Sequence, residues 1–429
     1  MNKVDIGILL SAEIEFELKG DFCIGGDVYS GDFCVSACDG ALFFAGKRYE
    51  RLSFVPVNDD CRFLLRDVVI GVGFHWERKE DQLFKGELIF IPEGTGVRAI
   101  NRLFIEDYLV SVISSEMSAT SSLEFLKAHT VISRSWLYAQ LLRKEGVQNA
   151  VLGHETDGEV VRWYAREDHT LFDLCADDHC QRYQGLTRAV NPNVEVAVKA
   201  TENIVLKHGG EVCDARFSKC CGGATERFSA CWEDVDYDYL QAFSDTAQKE
   251  PLPPLDTEEG ARAWIEGTPD AFCSAPAPEV LSQVLNNYDR ETHDFYRWRV
   301  EYSQDELSRL VTARSGIDFG VVEDLQAVER GASGRLVRLR IVGSKCTKVV
   351  GKELEIRRWL SPSHLYSSAF VVDKLCDGAT GEPRFVLKGA GWGHGVGLCQ
   401  IGAAVMGARG YTYEQILQHY YPGAMLETI

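Results

Sequence analysis

The sequence predicts an α+β fold in which a β-rich N-terminal part is followed by a helical pair packed on mixed sheets. Three observations support this prediction. The first hundred residues are short β-branched and aromatic runs separated by Gly and Asp turns. Two stretches within residues 105–140 then repeat apolar residues at helical spacing. Finally, a proline-rich and acidic region, which we interpret as an insertion, precedes a glycine-rich C-terminal block.

The composition is that of an acidic globular protein. The chain has 429 residues and a net charge of −19, from 45 Lys and Arg against 64 Asp and Glu. Nucleic acids and anionic membranes both attract basic surfaces, so this charge disfavours them as partners. It does not oppose an uncharged or amino-sugar polymer as substrate. No apolar run reaches the ~18 residues of a membrane span, so we predict no transmembrane segment.

The N-terminus does not have the pattern of a signal peptide. It carries Asp5 and Glu13 early and has no apolar core of the kind that signal peptides need, so we predict a strand there. Either a signal was removed or the protein is not secreted by that route. The 14 cysteines fit disulfides by their even number, yet their spacings are irregular, so they do not settle the compartment.

We divide the chain into four regions of different composition. Residues 1–100 are β-rich, residues 101–235 form the first half of a core, residues 236–300 are the inserted region, and residues 301–429, which are β-rich and glycine-rich, form its second half. The first region contains the predicted strands VDIGILL, DFCVSAC, ALFFAG, FLLRDVVIGVGF and GELIFIP.

The predicted pair of helices within residues 105–140 is the central element of the predicted fold. The first helix has one apolar face, formed by Ile105, Tyr108, Leu109, Val112 and Ile113. Ser121 and Glu124 form a capping-box pair that predicts the start of the second helix. Glu116 falls where the first helix ends, so the helix dipole and partial burial would both raise its pKa toward that of a general acid. The alternative is an ordinary solvated glutamate near a helix end.

The rest of the chain is predicted from shorter patterns. We expect strands at VEVAVKAT, NIVLKHGGEV and DARFSKCCGGATERF, and then a surface excursion with helices opening at EEGARAW and APAPEVLSQVLNN. After residue 300 we expect a helix at DELSRLVTAR and strands at LVRLRIVG, KVVGKELEIRR and AFVVDKL. The segment GWGHGVG at 391–397 cannot be a regular helix, because alternate glycines carry a high entropy cost there. Residues 413–420 are predicted to be helical.

Residues 169–181 concentrate two thiols and two imidazoles within a few residues. Cys and His are the usual ligands of Zn²⁺, and the spacing of Cys175 and Cys180 suits one loop around a metal. We prefer His169, Cys175 and Cys180 as ligands, with water or His179 in the fourth position. A Cys175–Cys180 disulfide or free thiols remain the alternatives.

Two blocks of this sequence resemble the SpoIID/LytB family of cell-wall proteins. The first block consists of EDYL at 106–109, Glu116-Met117, LKA at 126–128 and RSW at 134–136. The second is GAGWGHGVGLCQIGAAVMGARGYTYEQILQHYYPG at 389–423. Two departures from the family pattern are Ser118, where the family often has Pro, and His129, where it often has Gln.

The resemblance implies that Glu116 is the single acid/base of a lytic transglycosylase that cleaves peptidoglycan, with peptide-stripped strands as the substrate. It also implies a cell-envelope location, and some similar proteins carry a Cys/His metal site near the cleft. If the two blocks pack together, further side chains converge on Glu116 as substrate contacts. These are Lys127, Arg134, His394, Gln400, Tyr420 and Tyr421. For the two cations the alternative is a solvated helix face, and for His394 it is a hydrogen-bonded structural histidine.

Two other functions stay open at this point. The family also includes amidase enhancers, which bind the wall and stimulate a cell-wall amidase without cleaving glycan themselves. Zinc-dependent hydrolysis at Cys175, Cys180 and His169 is the third possibility. Oligomeric state and the exact glycan are not predicted by anything in the sequence.

Overall fold

The computed structural model describes residues 3–71, 77–117, 121–143, 152–164, 169–177, 180–187, 192–274, 276–284, 294–376 and 381–429. Up to residue 200 the elements are β1 Lys3–Ser11, β2 Glu13–Ile24, β3 Asp27–Cys38, β4 Ala41–Phe44, β5 Lys47–Tyr49, β6 Leu52–Pro56, β7 Arg62–Ile70, β8 Arg78–Lys85, β9 Glu87–Glu93, β10 Gly96–Phe104, α1 Ile105–Glu116, α2 Leu123–Arg143, β11 Gly153–Glu155, β12 Glu159–Arg162, β13 Leu174–Cys175 and α3 Pro192–Ala200.

The second half of the chain alternates strands and short helices. Its elements are β14 Ile204–His208, β15 Glu211–Val212, β16 Phe217–Ser218, α4 Glu258–Glu266, α5 Pro278–Val284, β17 Arg297–Ser303, α6 Gln304–Ser315, β18 Val322–Arg330, β19 Leu336–Gly343, β20 Thr347–Gly351, α7 Glu353–Trp359, β21 Phe370–Cys376, β22 Pro383–Ala390, β23 Leu398–Cys399, α8 Gln400–Ala408, α9 Tyr413–Tyr420 and β24 Met425–Thr428. The predicted α+β class is confirmed by this mixture of helices and sheets.

The chain folds as two compact units. The first unit comprises residues 1–133 and 166–202, and the second comprises residues 134–165 and 203–429. Helix α2 contributes residues to both.

The first unit is built on an extended sheet. Among the described residues, strands join in the order β13-β1-β10-β9-β6-β2-β3-β4-β5, with β7 pairing β2 and β8. Its core is rich in aromatic rings. Phe16 and Phe54 are fully buried, and their ring centroids lie 5.3 Å apart. β10 continues directly into α1 at Phe104, so the central part of the sheet fixes where α1 begins. Tyr108, Leu109 and the rest of the predicted apolar face of α1 are buried.

The second unit contains several smaller sheets with helices packed on them. Strands β17, β22 and β21 form one sheet, and β11, β12, β20, β19 and β18 form another. Their shared core includes Trp298, Leu307, Phe370 and Leu387, all buried. The segment 391–397 is irregular, as predicted, and leads through β23 into α8.

The structure corrects three local predictions. VEVAVKAT is not a strand but lies in α3, which opens on Pro192 and buries Val194, Ala197 and Val198 on one face while Val196 is exposed. The segment KVVGKELEIRR is a strand only to Gly351, after which α7 begins. Helix α2 begins at Leu123, where the Ser122 hydroxyl accepts from the Phe125 amide at 3.3 Å. The capping residue is therefore one position later than Ser121.

Candidate active site and metal centre

Glu116 is the last residue of α1 and its side chain is partly buried. The position is unfavourable for a negative charge, because the helix C-terminus carries the negative end of the dipole and the last turn has no basic residue. Glu116 Oε1 accepts a hydrogen bond from the backbone N–H of Arg182 at 3.2 Å. The carboxylate is thus held in part by a backbone donor.

The segment that supplies this donor is fixed on both sides. Gln181 Oε1 accepts from the Tyr108 hydroxyl at 3.1 Å, and Tyr183 donates to Asn101 Oδ1 at 2.5 Å. The rings of Tyr108 and Tyr183 stack with centroids 5.4 Å apart. Burial raises the pKa of Tyr108 well above its ordinary value, so its hydroxyl stays protonated and can donate. These contacts tie residues 181–183 to α1 and to β10, which keeps the Arg182 amide beneath Glu116.

The His/Cys cluster of His169, Cys175 and Cys180 belongs to the same segment. The three ligand atoms lie within 4.8 Å of one another, and His169 Nε2 is 3.6 Å from Cys180 Sγ. Cys175 is placed by β13, which pairs in parallel with β1 opposite Gly7, and Cys180 closes a turn onto the Asp177 carbonyl at 3.0 Å. No disulfide joins Cys175 to Cys180, both of which are described. The predicted alternative ligand His179 lies outside the described residues.

The cluster has a spacing that fits Zn²⁺. A tetrahedral ion with bonds of ~2.3 Å to sulfur and ~2.0 Å to nitrogen separates those two ligand atoms by about 3.5 Å. The observed separation of 3.6 Å between His169 Nε2 and Cys180 Sγ is close to this value. Because only Gln181 lies between Cys180 and Arg182, an ion here would fix the segment that holds Glu116.

A cavity of about 530 Å³ in the first unit borders this cluster. Its lining includes His169, Cys175, Arg182 and Tyr183. Glu116, which is itself described, does not line the cavity but receives its hydrogen bond from the Arg182 backbone. Arg182 therefore connects the two, because it lines the cavity and its backbone N–H donates to the Glu116 carboxylate.

Lys127 lies in the part of α2 that belongs to the first unit. Its ammonium is 2.7 Å from Glu124 Oε1, one turn earlier on the same helix, and its side chain is largely buried. The structure thus gives this cation a local ion pair, and its contact with substrate stays a prediction.

Four of the other predicted substrate contacts are buried side chains of the second unit. Arg134 is fully buried and donates to the Ile204 carbonyl at 3.0 Å. The Tyr420 hydroxyl donates to Asp245 Oδ1 at 2.9 Å, and Tyr421 donates to the Arg216 carbonyl at 2.6 Å. Gln400 starts α8 and is 2% exposed. All four side chains are therefore buried in this structure. Arg134, Tyr420 and Tyr421 make hydrogen bonds within the second unit, and Gln400 begins α8.

His394 is different because part of its side chain stays accessible. Its Nδ1 accepts from the Val396 amide at 3.0 Å, and its ring meets Trp232 edge-on with centroids 5.0 Å apart. Burial of the ring, together with the charges of Arg216, Arg335 and Arg357, holds the pKa of His394 well below its ordinary value. The imidazole is therefore neutral at pH 7 and can accept a hydrogen bond at Nδ1.

This depressed pKa makes a testable statement about stability. A histidine whose folded-state pKa is lowered contributes stability above its unfolded pKa of ~6.5, and that contribution is lost as pH falls. We expect acidification from pH 7.5 to pH 5.5 to lower the urea midpoint of the parent more than that of His394→Asn. Asparagine keeps an acceptor for the Val396 amide but does not titrate. Equal acid sensitivity of the two proteins would contradict this account.

Sequence patterns did not predict a second polar network around the glycine-rich segment. The guanidinium of Arg335, which is fully buried, donates to the carbonyls of Gly393 and Cys221 at 3.2 Å and to Ser333 Oγ at 2.9 Å. Ser333 in turn donates to the buried carboxylate of Glu226 at 2.7 Å. A Cβ on Gly395 would lie 2.4 Å from Arg335 Cζ, so glycine is needed where the loop passes this cation.

The structure brings Glu116 together with the segment that carries the His/Cys cluster, because both belong to the first unit. Arg134, His394, Gln400, Tyr420 and Tyr421 belong to the second unit. That these residues converge on Glu116 stays a prediction from the resemblance.

Comparison with known proteins adds the family. Residues 93–208 match the family model described as Stage II sporulation protein, a range that includes Glu116 and the His/Cys cluster. Stage II sporulation protein D of Bacillus subtilis is 20% identical over 81% of this chain and 82% of its own length. The amidase enhancer of the same organism is 25% identical over 74% of this chain. These similarities support the assignment of residues 93–208 to the SpoIID/LytB family.

Other similarities cover further parts of the chain. Residues 226–397 match a domain of unknown function, DUF8618. An uncharacterized protein of Brachyspira hyodysenteriae is 26% identical over 79% of this chain and 71% of its own length. The match to the amidase enhancer covers only 40% of that protein. Similarity to these proteins supports a cell-wall-related role. Within the described residues, no helix combines the length and apolarity needed to cross a membrane.

Proposed function

We propose that this chain is a lytic transglycosylase of the SpoIID/LytB family that cleaves the glycan strands of peptidoglycan, with peptide-stripped strands as its substrate. The observation that supports the proposal most is the environment of Glu116. It is one partly buried carboxylate at the unfavourable end of a helix, with one oxygen on a backbone N–H. Both burial and the helix dipole favour its protonated form, which is the form that a general acid needs.

One carboxylate is sufficient for this reaction. Most glycosidases use two, because water or an enzyme nucleophile must attack the sugar. In the proposed reaction Glu116 protonates the glycosidic oxygen as the bond to the anomeric carbon breaks. The C6 hydroxyl of the same sugar then attacks that carbon, and Glu116 takes the hydroxyl proton. The products are a 1,6-anhydro end and a free hydroxyl end, and no water is consumed.

The residues around Glu116 have roles that follow from their contacts. The Arg182 amide orients the carboxylate, and the Tyr108 and Tyr183 pair fixes the segment that carries this amide. Orientation of this kind lets one glutamate serve first as acid and then as base without moving. We further propose that the chain acts in the cell envelope on wall glycan.

A second candidate function is favoured by the similarity to an amidase enhancer. In that case the chain grips glycan and stimulates a cell-wall amidase that cleaves the stem peptides. The two functions separate in one comparison, in which amidase activity on intact walls is measured with the parent and with Glu116→Gln. We expect stimulation to require Glu116, because strand cleavage would open the wall to the amidase. Full stimulation by the variant, with no glycan cleavage by the parent alone, would favour the enhancer.

We also propose that His169, Cys175 and Cys180 hold Zn²⁺, with its fourth position taken by water or another side chain. A zinc ion there would be structural, and its chemistry would be to fix the ligands in place. The chain's own residues then orient Glu116 through the Arg182 amide. Deprotonated thiols are required for zinc binding, so affinity should fall as pH is lowered.

Removal of one ligand tests the zinc proposal. We expect Cys180→Ser to lose one equivalent of zinc by elemental analysis, with a lower thermal midpoint, whereas Cys38→Ser on the exposed end of β3 should lose none. Unchanged zinc content in Cys180→Ser would contradict the assignment. A Cys175–Cys180 disulfide in the purified parent, detected by mass spectrometry of peptides, would contradict it as well.

A further inference from the structure

A second group of metal-ligand side chains lies deep in the second unit. This buried cysteine cluster consists of Cys221, Asp245, Cys273 and Cys399, each no more than 2% exposed. Their ligand atoms all lie within 4.8 Å of one another. The positions are far apart in sequence, with Cys399 lying 178 positions after Cys221, so only the fold brings them together.

The spacing within the cluster is that of ligands around one tetrahedral ion. Cys221 Sγ is 3.5 Å from Cys273 Sγ and 3.3 Å from Asp245 Oδ2. A Zn²⁺ ion with bonds of ~2.3 Å to sulfur and ~2.1 Å to oxygen separates two sulfurs by about 3.8 Å and a sulfur from an oxygen by about 3.6 Å. The observed distances are shorter by only a few tenths of an ångström. In a [4Fe–4S] cluster each thiolate would bind a different iron, so the sulfurs would be further apart.

The backbone around Cys399 is arranged to hold a negatively charged sulfur. Cys399 is the N-cap of α8, and its Sγ accepts from the Gly402 amide at 3.4 Å and from the Cys221 amide at 3.3 Å. The positive end of the helix dipole adds to these two donors. A divalent ion bound by the side chains of this cluster would displace the protons of the thiols, which is how thiolate sites normally form.

Asp245 is oriented by a second layer of side chains, as metal-binding carboxylates generally are. Its Oδ1 is 3.1 Å from His419 Nε2 and accepts from the Tyr420 hydroxyl at 2.9 Å. These contacts leave Oδ2 directed at Cys221. A Cβ on Gly402 would lie 2.7 Å from Asp245 Oδ2 and 2.3 Å from the Tyr420 oxygen, so glycine is required where α8 passes the carboxylate.

We propose that Cys221, Cys273, Cys399 and Asp245 bind one structural Zn²⁺ ion. Four protein ligands fill its tetrahedral coordination, so no position is open for water or substrate. The ion joins the turn after β16, the loops that carry Asp245 and Cys273, and the first residue before α8. It thereby fastens the region that we described as an inserted excursion to the glycine-rich C-terminal block. This assignment uses only residues of the second unit and does not depend on the proposed glycan chemistry.

Metal content in a suitable background tests the proposal without an activity assay. The full chain carrying Cys175→Ser and Cys180→Ser removes the His/Cys cluster from consideration. This protein should be purified under conditions that keep its cysteines reduced and then dialysed against a weak chelator. It should then hold one zinc per chain. Addition of Cys273→Ser should abolish the zinc, and addition of Cys213→Ser, at a buried cysteine outside the cluster, should leave it in place. Absence of zinc from the background protein, or its retention after Cys273→Ser, overturns the proposal.

Cobalt substitution tests the site by absorption spectroscopy without mutating any of the four proposed ligands. In the same background protein, Co²⁺ should give strong near-ultraviolet sulfur-to-cobalt absorption of an intensity matching three thiolates, with visible bands of a tetrahedral ion. An octahedral spectrum without sulfur absorption would overturn the proposal. Peptide mass spectrometry that finds a Cys221–Cys273 disulfide in anaerobically prepared protein would do so too. If the background protein binds zinc but the parent protein does not cleave glycan, the zinc proposal stands and the proposed function fails.

Discussion

Replacement of Glu116 by Gln is expected to abolish glycan cleavage while leaving the protein folded. General acid and base catalysis by one positioned group contributes roughly 10² to 10⁴-fold to a rate, and here the same group serves both steps. Gln retains a carbonyl oxygen for the Arg182 amide. It also removes a negative charge from the C-terminal end of α1, where that charge is unfavourable. We therefore expect turnover of purified peptide-stripped glycan to fall at least about a hundredfold with no loss in thermal midpoint.

The matched control is Glu106→Gln on the same helix. Glu106 lies in the first turn of α1, where a carboxylate interacts favourably with the helix dipole. Its neutralisation should cost a few tenths to ~1 kcal/mol of stability and leave cleavage near the parent rate. If Glu116→Gln cleaved as fast as the parent, the assignment of Glu116 as acid and base would be wrong.

Replacement of Arg335 by Met is expected to give the largest loss of stability. Methionine fills similar space but has no donor for the Gly393 and Cys221 carbonyls or for Ser333 Oγ, all of which Arg335 now reaches. Each buried polar group left without a partner costs about 1 to 3 kcal/mol, so we expect destabilisation of about 3 kcal/mol or more. The loop at 391–397 should lose its fixed path at the same time.

Tryptophan fluorescence is suited to this measurement, since seven of the eight tryptophans fall in the residue ranges of the second unit. The urea midpoint of that signal should drop sharply for Arg335→Met. Arg340→Met replaces an exposed arginine on β19 and should change stability by no more than ~0.5 kcal/mol. A similar midpoint for both variants would show that the Arg335 network does not stabilise the second unit as described.

Local sequence patterns predicted helices and strands correctly where tertiary packing favours the same structure. The apolar face of α1 repeats every three or four residues, and the structure buries that face. In α3 the same kind of evidence misled, because Val194, Val196 and Val198 alternate as in a strand. The proline at the start favours a helix, in which Val194 and Val198 share one buried face and Val196 points outward. β-branched residues in a short segment fit both a strand and a helix, so tertiary packing determines which of the two forms.

The candidate site was predictable only where its residues are close in sequence. The His/Cys cluster spans few residues and was found from its spacing. The Arg182 contact to Glu116 was not, because its donor is a backbone N–H and carries no residue-type signal. The buried cysteine cluster combines positions from four separate segments, so no spacing rule reaches it. Tyr420 was assigned to substrate by its place in a motif, whereas its hydroxyl bonds to Asp245.

The nature of the new sugar ends formed from purified, peptide-stripped glycan tests the central claim most directly. The reaction should be run with the parent protein alone in water enriched in heavy oxygen, and its products analysed by mass spectrometry. Our account predicts 1,6-anhydro ends that lack the elements of water and carry no heavy oxygen, and their absence with Glu116→Gln. Reducing ends that incorporate heavy oxygen would contradict it, since they would show hydrolysis, which a single glutamate acting through the substrate's own hydroxyl cannot produce.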